Sequence, residues 1–118
     1  MNNFRELKVW QKAMNLVTNI YANTSIFPQN EQFGLTSQIR RSSVSIPSNI
    51  AEGFGRNTKN EFVRFLRISI GSLFELQTQL EISKNLNFIT LEKFDNILSD
   101  SIEIEKMLKA LIKSIQNK

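Results

Sequence analysis

The sequence contains no cysteine and no histidine. The first absence excludes disulfides, thiol nucleophiles and thiolate metal sites, and is what a cytoplasmic chain shows. The second removes the Ser-His and Cys-His hydrolases, imidazole acid-base chemistry near neutral pH, and most nitrogen-ligated transition-metal sites. Long apolar runs are also missing and the opening Met1-Asn2-Asn3-Phe4-Arg5-Glu6 is polar, so neither a transmembrane span nor a signal peptide is expected, nor a membrane partner. Only two prolines and four glycines punctuate the 118 residues, and no alternating run is long enough to build a sheet. What remains is one domain, residues 1–118, large enough to bury roughly two-thirds of its extended-chain surface. Its net charge is +4, and the excess is uneven: residues 1–70 carry nine basic and four acidic side chains, residues 71–118 six and seven. A polyanion would therefore be expected on the first part of the chain.

Apolar spacing predicts an all-α chain. Leu7, Trp10, Met14, Val17 and Tyr21 recur every three or four residues and lay an inward stripe along a helix from about Arg5 to Asn23, with Trp10 and Tyr21 read as core. A second helix, about Asn30 to Phe54, turns Leu35, Ile39, Ile46 and Ile50 inward. Pro47 sits in its middle, so a kink near Ser43 is expected rather than a break. Gly53-Phe54-Gly55-Arg56-Asn57 suits a left-handed C-cap, and Thr58-Lys59-Asn60-Glu61 fits a capping box that opens a third helix. That helix runs to about Leu86 with Phe62, Leu66, Ser69, Leu73, Leu76, Leu80 and Ser83 on one face; Thr90 then N-caps a fourth helix reaching about Ile115. Four helices with three short connections make an up-down four-helix bundle.

Helices three and four are greasier than an isolated bundle needs. Phe65 and Ile68 flank one side of the third helix's core stripe, and Val63, Ile70 and Phe74 the other, leaving a polar strip of Asn60, Arg64, Arg67, Glu75 and Thr78. The fourth helix has two stripes, one of Phe94, Leu98, Leu108 and Ile112, the other of Ile97, Ile104 and Leu111. This surplus predicts self-association through these two helices.

Catalytic constellations are absent. Glu103 and Glu105 point to different faces, Glu75 stands alone, no Glu-x-x-His pair is possible, and Gly53-Phe54-Gly55 lacks the third glycine of a phosphate loop and follows a helix. No enzyme, metal or cofactor is expected. Arg40, Arg41, Arg56, Lys59, Arg64 and Arg67 flank the connection between helices two and three, opposed by Glu52 and Glu61. They are the candidate nucleic-acid-binding residues, since arginine on phosphate releases counterions. Arg41 and Glu52, with Asn49 and the helix-bending Pro47, also fit a structural or interface role.

The segment Gln38-Ile39-Arg40-Arg41-Ser42-Ser43-Val44-Ser45-Ile46-Pro47-Ser48-Asn49-Ile50-Ala51-Glu52-Gly53 packs four serines before and after a proline, small side chains that let a neighbouring helix approach closely and hydroxyls able to serve carbonyls freed by the proline. With Phe4-x-x-Leu7-x-Val9-Trp10-Gln11-x-Ala13, Phe27-Pro28, Phe33-Gly34-Leu35, Glu61-Phe62, Phe65-Leu66 and Gly71-Ser72-x-x-Glu75-Leu76, it closely resembles the bacterial four-helix-bundle family associated with 23S rRNA intervening sequences, often labelled S23-like. The resemblance covers the chain to about Leu86. It implies a left-handed bundle assembling into a homo-oligomeric ring, most simply a pentamer, as in the related accessory variability proteins of diversity-generating retroelements. It also implies RNA or DNA binding through a basic surface without enzymatic activity. The alternative is a protein-binding adaptor that docks a partner such as a reverse transcriptase.

Overall fold

In the computed structural model, which describes residues 3–118, four helices follow one another: α1 (Lys8–Thr24), α2 (Leu35–Phe54), α3 (Lys59–Asn85) and α4 (Leu91–Gln116). Met1 and Asn2, the start of the polar opening, lie outside the described residues. Short 3-10 turns at Phe4–Glu6 and Gln29–Glu31 precede α1 and α2. Each helix packs on its neighbour in sequence, and α1 closes the bundle against α4. The cross-links run antiparallel: Ser69 Oγ donates to the Ile46 carbonyl, Ser72 to Ser45, and Ser42 to Gln79 Oε1 between α2 and α3. Gln77 of α3 donates to Ser101 of α4. The result is an up-down bundle 46 Å long and 24 by 20 Å across, and among the described residues no helix is long and apolar enough to cross a membrane.

The inward residues expected for α2, Leu35, Ile39, Ile46 and Ile50, are all buried. So are Leu66, Ser69, Leu73, Leu76, Leu80 and Ser83 of α3, while Phe62 packs at the edge. α1 departs from expectation. Its buried face is Val9, Ala13, Leu16, Ile20 and Thr24, about 100° round the helix from the stripe of larger side chains. Met14 and Tyr21 are exposed and Trp10 is half-buried, packed edge-on against Phe4 with ring centroids 5.3 Å apart. Of the expected stripe only Leu7, just before the helix, is buried, while Thr24 on the observed face is held by hydrogen bonds to the Ile20 carbonyl and from Arg40.

Both α4 stripes are absorbed within the one chain: Phe94, Ile97, Ile104, Leu108 and Ile112 are buried, and Leu98 and Leu111 pack against them. The surplus on α4 therefore thickens the core. Val63 and Phe65 of α3 are buried as well, whereas Ile68 and Phe74 stay exposed.

α2 passes Pro47 as one helix. One serine hydroxyl does turn back, Ser43 onto the Arg40 carbonyl at 2.7 Å, upstream of the carbonyl that Pro47 deprives of a donor. The left-handed cap is at the other end of α3 from the glycines. Gly53 and Gly55 both keep negative φ, while Asn87 has φ 61°. There Phe88 N–H reaches the Ser83 carbonyl at 2.9 Å and Asn87 N–H the Lys84 carbonyl at 3.0 Å, a Schellman closure with asparagine in the glycine position. Asn87→Ala is expected to cost about 1 kcal/mol in chemical denaturation, because alanine lacks asparagine's tolerance of that conformation. Thr58 caps α3 by accepting from Glu61 N–H at 3.1 Å. The reciprocal half of the box is replaced by a Glu61–Arg64 ion pair.

Candidate nucleic-acid interface

Antiparallel folding brings together residues that chain order keeps apart. Cutting each helix at its midpoint divides the bundle into two halves. The half formed by residues 3–15, 45–72 and 104–118 holds eleven basic and four acidic side chains, a balance of +7. The opposite half, residues 16–44 and 73–103, holds four basic and seven acidic, a balance of −3. The charge asymmetry thus runs along the bundle axis. It crosses the expected boundary at residue 70, because the second half of α4 returns Lys106, Lys109, Lys113 and Lys118 to the basic end. Over a bundle 46 Å long, with a screening length of about 8 Å at physiological salt, the two ends act as separate electrostatic surfaces.

Four of the six nominated cations lie at the basic end. Arg56, one turn past Glu52, pairs with it at 3.3 Å and stacks 4.9 Å from the Phe65 ring centroid. Arg64 pairs with Glu61 at 2.8 Å and covers the same ring from 4.6 Å. That contact holds the Glu61 carboxyl below its ordinary range and raises Arg64, the shared hydrogen bond being the first cause in both. Lys59 Nζ donates to the Lys118 main-chain oxygen at 2.8 Å, tying the start of α3 to the end of α4. Arg67 is exposed and takes part in no ion pair among the described residues.

Arg40 and Arg41 are elsewhere. Fifteen or so residues of helix separate them from Arg56, about 23 Å along the axis. Arg40 is half-buried: its Nε donates to Thr24 Oγ1 at 2.9 Å, a terminal nitrogen reaches the Tyr21 carbonyl at 3.4 Å, and the guanidinium covers the Tyr21 ring at 4.6 Å. It fastens α2 to the C-terminal turn of α1, where a cation also complements the helix dipole. Arg41 is exposed beside a polar groove between α2 and α3 lined by Gln38, Ser42, Ser45, Glu75 and Gln79. Of the residues given a structural or interface role, Glu52 pairs locally with Arg56 rather than with another helix, and Arg41 takes part in no ion pair among the described residues. Asn49 is used locally, donating to the Ser45 carbonyl at 2.8 Å and hydroxyl at 2.9 Å. Pro47 is buried at a shallow apolar groove between α1 and α2 with Trp10, Met14, Val17, Val44 and Ala51.

The residues that sequence order did not bring forward are Lys109 and Lys113. With Arg67 and Gln116 they line a groove between α3 and α4 whose floor is Ile70 and Ile112. Lys109 also donates to Glu105 at 2.8 Å, and that hydrogen bond, ahead of a weaker one from Gln77, lowers the Glu105 carboxyl. The helical spacing of Lys109 and Lys113 was a readable signal. Its adjacency to Arg67 required knowing that α4 runs back along α3.

Comparison with known proteins gives two findings. A family model described as 23S rRNA-intervening sequence protein matches residues 5–110, so the likeness continues past Leu86 through most of α4. The chain is also similar to a crystal structure from Bacteroides thetaiotaomicron VPI-5482, a protein of unknown function from the S23 ribosomal protein family. That structure shares 29% identity and a TM-score of 0.82, over 89% of this chain and 98% of the other. No curated protein matches the sequence.

Proposed function

Because the chain belongs to the 23S rRNA-intervening sequence protein family, we propose that it is a non-enzymatic bundle that binds structured RNA or DNA by the phosphate backbone and works as a homo-oligomer. The observation that carries this reading is the gathering of +7 on one end of the bundle against −3 on the other. Charges on a merely solvated exterior have no reason to segregate from three separate stretches of sequence onto one end of the bundle. A polyanion gives one, because each phosphate neutralised by Lys or Arg releases condensed counterions. Copies set side by side with their basic ends in register would turn a weak contact into avidity. The family likeness implies a pentameric ring. Candidate surfaces for that contact are exposed Ile68 of α3, one of the two helices expected to self-associate, and the apolar α1–α2 groove flanked by exposed Met14 and Val44.

A salt titration tests the reading. Affinity for a labelled RNA hairpin is expected to fall steeply between about 50 and 200 mM salt, with a logarithmic slope of about −3 to −6. Absence of binding at low salt, or binding indifferent to salt, overturns it. Sedimentation tests the assembly: a mass near 13.6 kDa at micromolar concentration removes both the ring and the avidity.

One observation favours a second reading, a protein-docking adaptor. At the acidic end the α1–α2 connection exposes Ile26 and Phe33, the latter 91% accessible, and the α3–α4 turn exposes Leu86 and Leu91. The two connections are joined by a Phe27–Phe88 contact at 5.6 Å. Docking of a partner such as a reverse transcriptase on this apolar end would be insensitive to salt, which separates the two readings.

A further inference from the structure

The α3–α4 groove at the basic end has three properties that a continuous duplex would not use together. First, its charged lining is wholly cationic: Arg67, Lys109 and Lys113, around a volume of about 360 Å³. Arg67 and Lys113 take part in no ion pair among the described residues. Second, the floor between these cations is apolar, Ile70 and Ile112. Third, Phe74 stands beside the groove. It is seven residues after Arg67 and four after Ile70, hence on the same face of α3, and it is 44% exposed. The Lys109 ammonium lies 5.7 Å from its ring centroid and so links ring and groove.

A half-exposed phenyl ring set beside cations and an apolar floor offers two kinds of contact to one ligand. A duplex turns its phosphates outward and keeps its bases stacked within, so it would press a charged backbone onto Phe74 and the isoleucine floor. An unpaired strand offers both parts: phosphates for the cations and a base whose π-face stacks on an aromatic ring.

We propose that this groove binds an unpaired stretch of polynucleotide, its phosphates on Arg67, Lys109 and Lys113 and one base stacked on Phe74. The proposal rests on the nucleic-acid reading above and specifies the form that is bound. Lys109 shifts from its Glu105 contact toward the strand, and stacking on a carbon ring makes the site tolerant of base identity.

Fluorescence anisotropy at one low salt concentration, with labelled oligo(U), oligo(dT) and a mixed-sequence duplex of equal length, tests this. Single strands are expected to bind more tightly than the duplex. Phe74→Ala should lower single-strand affinity about ten-fold, leave duplex binding unchanged and leave the salt slope intact, whereas Phe74→Tyr should retain binding. Arg67→Gln with Lys113→Gln should reduce the single-strand salt slope by about 1.4. Tighter binding of oligo(U) or of oligo(dT) identifies the sugar preferred and supports the proposal either way. Duplex binding as tight as both single strands, or a folded Phe74→Ala protein with unchanged single-strand affinity, overturns it. A change of sedimenting mass in Phe74→Ala also overturns it, by assigning the ring to a subunit contact. Failure of all three probes to bind would instead be the failure of the nucleic-acid reading itself.

Discussion

Gly53→Ala is expected to destabilise the bundle by about 2–3 kcal/mol and lower its melting temperature by about 10 °C, while Gly71→Ala raises it by a few degrees. The two glycines are both helical, and what surrounds them differs. A Cβ built on Gly53 would stand 2.6 Å from the Cβ of Phe65 and 3.2 Å from a ring carbon of Phe62, with the Phe62 carbonyl at 3.3 Å. Phe65 is buried and Phe62 packs edge-on against Phe54 with centroids 5.9 Å apart, so α3 must retreat from α2 to admit the methyl. Retreat would also loosen the Ser72–Ser45 and Ser69–Ile46 hydrogen bonds further along the seam. At Gly71 nothing lies within 4 Å of the added carbon, and alanine there gains about 0.5–1 kcal/mol of helix propensity. Thermal denaturation of the two variants reads the contrast directly. A Gly53→Ala protein melting within two or three degrees of the parent would mean that the close α2–α3 approach is wrong.

That seam was legible in the sequence, and so was most of the fold. The small serines of the second helix announce a neighbouring backbone that approaches closely, and the hydrogen bonds of Ser42 and Ser45 to Gln79 and Ser72, and of Ser69 to the Ile46 carbonyl, bear this out. Helix ends were readable where a side chain makes the cap, as at Thr58 and Thr90. They were not readable where backbone geometry decides. The left-handed residue is Asn87, while Gly53 serves packing rather than a turn. The buried face of α1 was misjudged because two adjacent apolar stripes compete there, and which of them faces the core is decided by α2 and α4 rather than by α1.

The candidate site was half legible for a related reason. Charge counted along the chain located Arg56, Lys59, Arg64 and Arg67, but it grouped Arg40 and Arg41 with them and left out the lysines of α4. Helical rise puts Arg40 far from the turn, and antiparallel return puts Lys109 and Lys113 beside Arg67. Exposure divides the nominated cations further. Arg40 is committed to Thr24 and Tyr21, so its removal should register in stability, where a charged hydrogen bond to a buried hydroxyl contributes about 1.5–3 kcal/mol.

Two double charge reversals of equal net charge separate a placed site from a general field. Arg67→Glu with Lys113→Glu and Arg40→Glu with Arg41→Glu each take the chain from +4 to 0. If binding answered only to total charge, the two would weaken it equally. The basic-end pair is instead expected to lower affinity for a labelled RNA on the order of 100-fold at low salt, about 1.4 kcal/mol for each reversed contact, and to reduce the salt slope by about two. The other pair should change affinity by less than about three-fold. It lies about 23 Å along the axis from Arg56, and its Arg40 is already engaged by Thr24 and Tyr21. Its effect should fall on folding, because a carboxylate would replace the guanidinium that holds the C-terminal turn of α1 and would oppose the helix dipole there. Circular dichroism melts read alongside anisotropy keep the two effects apart. Equal losses of affinity in folded proteins would show that the charge acts as a whole and that the basic end is no site. A loss confined to the Arg40 and Arg41 pair would move the interface to the polar groove beside Glu75, where Arg41 is exposed.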